Sequence, residues 1–441
     1  KTHPALIRPM PLPNSIPIDS LGEPFYTGSV QRLYALEGAD DHMVTETTSR
    51  GSVFDVGSIF DIEGSDVARA VFRHVLYSRM GDPELWKAVK TSIESASELD
   101  ADYRRQLLSG VLEDLVQRGA VTHHGGMIDA QTGALSASGV PENASSFNVV
   151  RRYQIMKPTR AECLGAWLYD YSEFPAADGF VVPLEYIVRF GITGASSVYK
   201  RYLNMNDADK KAYERELGAT KALEAWQLLE RPISDCTTKF EPEDRNLTKQ
   251  EAITLCGLTG AQFSSSLTLA VLGAWAVRYL LEGAGLLLWD IKWEFAKDGQ
   301  DLVFVDTIDS DSFRATRFFE RDGKRVVAHF NKQSMRDYYR IMQADWLDGV
   351  NDAKQRAKAE GVAFTELLVA GQANGQYPQT PTVPDDFLSI QVAKMSAIQN
   401  YMLQKSDSAA ANATLEKCGG DELAYYDAAG KFDEFVRING V

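Results

Sequence analysis

Two strings about a hundred residues apart constrain this chain more than anything else in it. They are Val182-Pro-Leu-Glu-Tyr-Ile-Val-Arg189, running on through Phe190-Gly-Ile-Thr-Gly-Ala-Ser196, and Leu288-Trp-Asp290-Ile-Lys292-Trp-Glu294-Phe-Ala296. In both, charged residues are set into an apolar, strand-like frame. Successive side chains of a strand alternate between faces, so Lys292 and Glu294 share one sheet face. A fold that contains these strings must bury two strands and still give their charges a purpose.

The chain has 441 residues, enough for two or three domains and a sizeable core. Its net charge of -15 repels phosphate backbones, which argues against nucleic acid as a partner. Cys163, Cys236, Cys256 and Cys418 are scattered without a Cys-x-x-Cys spacing and read as free thiols of a reducing compartment. His123-His124, followed by two glycines, reads as a loop and not as a zinc site. The start of the chain shows no apolar signal-peptide core. The apolar run Leu267–Trp289 carries Arg278, Glu282 and glycines, so it reads as a buried helix and strand, not a membrane span. These features lead us to expect a cytoplasmic location, and they leave homo-oligomerisation open.

The pattern predicts a Pro-rich arm over 1–22, a domain over 23–155, a larger α/β unit over 156–404 and a weakly patterned extension over 405–441. Phe25–Tyr34 reads as strand, glycine turn, strand; 43–47 and 53–56 read as further strands. Helical periodicity covers 67–80, 84–93 and 101–118, the last with Leu107, Leu108, Val111, Leu112 and Leu115 on one face. Residues 119–147 read as loop and 148–155 as strand. Helices are expected over 207–229, 248–257, 260–283, 345–375 and 385–404, with a Pro/Thr linker at 378–384. Residues 286–295 and 302–307 read as a hairpin around Lys297-Asp-Gly-Gln300.

Glu294 and Asp306 fall on the two arms of that hairpin. Paired across it, they could share one divalent ion that bridges phosphate oxygens; as a bland alternative they are acidic residues on a solvated face. Lys292 beside them suits a phosphate site or a plain ion pair. Arg189 ends an apolar strand before Thr193 and Ser196, a good receptor for phosphate or carboxylate, or an arginine snorkelling after a buried strand. Ser312 and Arg314 form a further short pair. Gly28 sits in a turn that could cover a nucleotide or simply close a hairpin.

The two strings resemble conserved motifs of the SAICAR synthetases, Pro-aliphatic-Glu-x-aliphatic-aliphatic-Arg running to Thr-Gly-Ser, and Asp-x-Lys-x-Glu-Phe-Gly. Arg50-Gly-Ser52-Val-Phe54-Asp55 resembles the family's Asp-Arg-Ile-Ser-Ala-Phe-Asp. Arg231 to Glu241 with Asp244, Val305 to Arg314, Phe330 to Tyr338 and Pro384 to Phe387 resemble its later motifs in order. The resemblance covers 24 to about 345 and about 378 to 404. It implies an α/β (α+β) fold: an N-terminal, mostly antiparallel domain with a Gly-rich loop, and a larger domain of ATP-grasp or kinase-like kind. It also implies a reaction in which ATP, CAIR and L-aspartate give SAICAR, ADP and phosphate through an acyl phosphate, with Mg²⁺.

Carried over by position, Glu294 and Asp306 would hold the metal, and Lys292 and Glu185 would line the reacting centre. Arg189, Thr193, Ser196, Ser312 and Arg314 would bind the phosphorylated substrate. Lys239, Asp244, Arg50, Ser52 and Asp55 would add substrate contacts, and Gly28, Ser29 and Arg32 would meet the nucleotide. The chain departs from the family where Gly28-Ser29-Val30-Gln31 replaces Gly-Lys-x-(Lys/Arg), where Glu63-Gly64 replaces Lys-Gly, where Ala195 delays the serine to Ser196, and where Thr307 replaces a glutamate. Those departures keep two rivals in play: an ATP/Mg²⁺ ligase or kinase for another small molecule, and a non-catalytic relative.

Overall fold

The computed structural model describes residues 12–441 and is a mixed α/β structure built largely on antiparallel sheets, the expected class. The first half of the expected arm, 1–11, lies outside the described residues. Residues 12–22 run along the first sheet, where the Ile16 N–H donates to the Gly133 carbonyl at 2.7 Å.

That sheet contains β1 (Tyr26–Thr27), β2 (Gln31–Ala35) and β3 (His42–Thr47). A separate ribbon follows, β4 (Arg50–Ser52) and β5 (Ser58–Asp61). The expected strand at 53–56 is the turn between them. Phe54 and Asp55 have φ of 58° and 59°, a left-handed pair that no strand accommodates. The sheet is completed by β6 (His124–Ile128), β7 (Leu135–Ser136) and β8 (Phe147–Arg151), in the order β1-β2-β3-β8-β6-β7. Two of these strands replace the loop expected over 119–147. The glycines there allow close strand approach: a Cβ on Gly126 would sit 2.5 Å from the Ser136 carbonyl oxygen. The helix expected over 101–118 is two helices, Ala101–Leu107 and Val111–Arg118, broken at Gly110 with φ 62°.

The second half opens with an isolated ribbon, β9 (Thr159–Cys163) and β10 (Ala166–Asp170). The central sheet follows: β11 (Phe180–Val181), β12 (Leu184–Ile192), β13 (Gln227–Thr238), β14 (Asn246–Leu247), β15 (Leu287–Asp298), β16 (Asp301–Val305), β17 (Phe313–Arg321) and β18 (Lys324–His329). Its main path is β14-β13-β12-β15-β17-β18, with β11 and β16 attached to β15. The β15–β16 hairpin is the one the sequence predicts. The helix expected over 207–229 stops at Leu217 with Gly218 as a left-handed cap, and β13 takes over ten residues later. The helix expected over 345–375 is likewise two, Ala344–Glu360 and Phe364–Ala373, parted at Gly361.

Helix Gly260–Glu282 packs under β12 and β15 and fills the main core with Leu272, Trp275 and Val277. It is long and apolar enough to cross a membrane by composition alone, but 67% of its apolar window is buried inside this fold. Its N-terminus carries a capping box, Thr259 with Gln262, which satisfies the first free amides.

The tail is no loose extension. Ser408–Ala428 and Phe432–Asn439 are helices that pack on β17 and β18, and Leu415, Tyr426 and Phe435 join the main core. Their pattern hides in the sequence because small and polar residues do the packing. A Cβ on Gly419 would lie 2.2 Å from the Phe319 ring, and Glu422 is buried against Lys394 at 2.6 Å.

Candidate functional site

Strand register places the charges of both strings on one face of the central sheet. Arg189 pairs with Asp290 and Ile187 with Lys292 across β12 and β15, while β13 sets Asp235 opposite Ile187 and Thr237 opposite Glu185. The alternate residues, Tyr186, Val188, Ile291 and Trp293, are fully buried on the other face, toward the core helix. Period-two alternation therefore drives one face into the core and leaves the other to carry chemistry.

At one end of that face Lys292 Nζ donates to Glu185 at 2.6 Å and to Glu294 at 2.8 Å, with Asp306 at 3.7 Å. Lys239 is ion-paired with the other Glu294 oxygen. Glu294 and Asp306 lie close enough that each carboxylate perturbs the other's proton affinity. Burial, and then the charge of Asp306, push Glu294 up to about 7. Against its burial, Lys292 and Lys239 hold Asp306 below the usual carboxylate range. Lys292 is raised despite burial by Glu294, Asp306 and Glu185, so it is a permanent cation and not a base. Burial, then Glu185, raise Asp244 at the rim. Asp306 itself has φ 67°, a strained conformation held by Tyr77, whose hydroxyl donates to the Asp306 carbonyl at 2.9 Å.

Among the described residues no group of three or more His, Cys, Asp or Glu side chains forms a metal site unaided. Two neighbouring carboxylates, one of them pushed up by burial and by the other's charge, are nonetheless the donor set that Mg²⁺ takes when phosphate oxygens complete its shell.

A cavity of about 300 Å³ opens onto this cluster. Its apolar walls are Phe25, Leu33, Met43, Val150, Tyr153 and Ile155, and Lys239, Glu294 and Asp306 close its inner end. None of the wall residues was singled out by sequence reasoning; an apolar strand residue over a cavity carries no signal that separates it from core.

At the other end of the sheet face Arg314 donates to Asp290 at 2.9 Å and to Thr193 Oγ1 at 2.7 Å. Buried Arg189 lies between Asp235 at 3.4 Å and Asp290 at 3.6 Å. Its Nε and the Ser196 hydroxyl are buried without a partner. The Arg336 side chain makes no ion pair or hydrogen bond among the described residues, and burial followed by Arg314 lowers its pKa. Unspent guanidinium and hydroxyl donors in one place define an anion receptor. Asp235, Asp290 and Arg336 all lie inside strings already noted in the sequence, yet only the strand register shows Asp235 and Asp290 on the site's face.

Other expected residues fall elsewhere. Arg32 alternates with Gln31 and Leu33, so it turns from the cavity and pairs with Glu46 at 3.1 Å; Gln31 faces inward instead. Arg32, expected to meet a nucleotide, therefore does not line this cavity. Gly28 forms a tight turn, its N–H on the Gln31 carbonyl at 2.8 Å, and the Ser29 carbonyl accepts from Ser58; neither lines the cavity. Arg50 and Ser52 edge a separate crevice with Asp311 and Lys332. Asp55 is exposed on its turn and pairs with Lys354 at 2.8 Å. The Ser312 hydroxyl is spent on the Thr307 carbonyl at 2.5 Å, which shapes the loop after Asp306, while its own carbonyl accepts from Lys292 N–H. His123 and His124 border strand β6, where burial pushes His123 down to about 4 and His124 well below its usual value.

The family model for SAICAR synthetase matches residues 145–353, which include both charged ends of the site and exclude Gly28, Ser29, Arg32, Arg50, Ser52 and Asp55. A protein of Archaeoglobus fulgidus provisionally named phosphoribosylaminoimidazole-succinocarboxamide synthase is 33% identical over 245 residues, 55% of this chain and 66% of that protein. The phosphoribosylaminoimidazole-succinocarboxamide synthase of Thermoplasma volcanium is 29% identical over 233 residues, 52% of this chain and 68% of its own length. The chain thus spans about two thirds of the length of these relatives. A SAICAR synthase of Saccharomyces cerevisiae, solved in complex with SAICAR, superposes loosely, with a TM-score of 0.49 at 17% identity over 88% of this chain and 96% of that one.

Proposed function

This chain belongs to the SAICAR synthetase family as a divergent member, and from that premise we propose that it is an ATP-dependent carbon–nitrogen ligase of purine biosynthesis, joining L-aspartate to the carboxylate of CAIR. The observation that carries the reading is the contact of Lys292 and Lys239 with Glu185, Glu294 and Asp306 at the inner end of an apolar cavity.

In this reading ATP occupies the cavity, its base against the apolar walls and its phosphates toward Lys239 and Lys292. Residues 23–155 supply most of the wall and 156–404 the reacting groups. Arg189, Arg314 and Arg336, with Thr193 and Ser196, take the CAIR phosphate. That fixes the imidazole carboxylate over the sheet face near Lys292. A carboxylate oxygen attacks the γ-phosphorus, ADP leaves, and a mixed acyl phosphate forms. The aspartate amine then attacks the acyl carbon, loses a proton, and phosphate departs with the bond electrons. Lys292, always charged, offsets the negative charge that grows on the transferring group, and Glu185 holds it in place. Glu294 and Asp306 would hold Mg²⁺, which supplies charge neutralisation at the phosphates when bound. We place the enzyme in the cytoplasm.

Oxygen transfer tests the chemistry. With CAIR labelled by ¹⁸O in its carboxylate, one label per turnover is expected in the released phosphate. Phosphate free of label would exclude the acyl phosphate and with it the ligase reading.

A further inference from the structure

The ribbon β9–β10 forms a sheet of its own with no third strand among the described residues, and every residue of β9 is exposed. Two-stranded ribbons are marginal in water, and a bare edge is a template for another strand. This ribbon is nevertheless firmly rooted: Tyr171, Phe174 and Phe180 form a buried cluster at its base, and the Tyr171 hydroxyl donates to Glu241 at 2.9 Å. Its outer part is apolar where a solvated turn would be polar. Leu164 occupies a left-handed position of the two-residue turn, φ 51°, wholly exposed, where Asn or Gly is the usual choice. Trp167 and Leu168 are 53% and 55% exposed.

The register selects what can pair with this edge. Cys163 pairs with Ala166 around the two-residue turn, and hydrogen-bonded pairs alternate along a hairpin. Ala161 and Thr159 therefore bond inward to β10, while Arg160 and Glu162 point their backbone N–H and C=O groups outward. A second β9 placed antiparallel about Ala161 sets Arg160 opposite Glu162 of the second copy, and the reverse, at hydrogen-bonded sites. Moving the axis by one residue sets Arg160 against Arg160 or Glu162 against Glu162, which is repulsive.

We propose that two copies of this chain pair edge to edge along β9, about a two-fold axis at Ala161, into a four-stranded sheet β10-β9-β9-β10. Ala161 and Leu168 of both copies then share one face of it. This inference does not rest on the reaction proposed above.

The test is sedimentation velocity of the full chain across a concentration series, with charge reversal at the edge. The parent should run as a dimer at micromolar concentration. Arg160→Glu and Glu162→Arg should each weaken dimerisation about tenfold or more, since every pair occurs twice. The double reversal should restore it. In a Cys163→Ser background, Ala161→Cys should give a disulfide-linked dimer on mild oxidation, because facing non-hydrogen-bonded residues lie about 4.5 Å apart at Cα. A monomeric parent, a dimer indifferent to the single reversals, or a double reversal that stays monomeric would each overturn the proposal.

Discussion

The two walls of the cavity differ in how much they commit to. On the central face, β12 and β15 place Glu185, Arg189, Asp290, Lys292 and Glu294 by a strict two-residue repeat, locked from behind by a core helix. The first-sheet wall, β2 and β3, offers Leu33 and Met43 with the uncharged polar Gln31 and Thr45, and its Gly28 turn lacks the family's lysine. Charge chemistry needs atoms fixed to a fraction of an ångström, whereas an apolar wall needs only shape and area. The comparison teaches that the face which places charge keeps the family's residues, while the first-sheet wall, which under the proposed function only covers the nucleotide, departs from them.

The largest effect that could break this contrast lies at the paired carboxylates. Asp306→Asn and Glu294→Gln should each lower turnover about a thousandfold, since an amide supplies neither the charge nor the oxygen geometry a phosphate-bridging cation needs. Steady-state ADP release beside a thermal melt would separate this from unfolding. Because Glu294 titrates near 7, the apparent Mg²⁺ affinity should rise with pH up to about that point. A flat response between pH 6 and 8 would remove Glu294 from the metal.

Arg189→Lys should raise the Michaelis constant for the phosphorylated substrate about tenfold to a hundredfold and leave that for ATP nearly unchanged, because a point charge cannot replace the planar fork. A rise for ATP alone would exchange the two ends of the site.

The first-sheet region should show itself in acid. Burial lowers the pKa of His123 and His124 below the unfolded value near 6.5, and of His329 on β18 of the central sheet likewise. The unfolded chain then binds more protons, so stability is full above pH 6.5 and falls as pH drops toward the folded pKa. Between pH 6.5 and about 4 the loss from His123 alone is on the order of 3 kcal/mol. Glu294 works in the opposite sense, since its raised pKa costs stability as pH rises from about 4.5 to 7. Chemical denaturation across pH 4–8 should show the histidine slope flatten in His123→Gln.

The smallest effect distinguishes two neighbours. Arg32→Ala should leave the ATP constant within about twofold, since Arg32 spends itself on Glu46 in a half-buried pair that points away from the cavity. Gln31→Ala should raise that constant a few-fold. The reverse ranking would show that β2 is turned over when nucleotide binds.

Legibility followed the same divide. The hairpin with Glu294 and the strand with Arg189 could be read because alternation and charge coincide in them. Asp235 and Arg336 could not be assigned from sequence, since their part depends on which strand or helix lies alongside. The turn at Phe54-Asp55 read as strand because apolar Phe54 fills one left-handed position and Val53 and Val56 flank the pair. The tail helices were missed because Gly419 and Glu422 pack where larger apolar residues would have shown the period.

The central claim is that the charged face performs an aspartate-dependent ligation. ADP release should be measured with ATP and Mg²⁺ in the presence of CAIR and L-aspartate, and again with each omitted. The account predicts release stoichiometric with SAICAR when all are present, and near background without CAIR or without aspartate. Sustained ADP release indifferent to CAIR, or none with the full set, would contradict it.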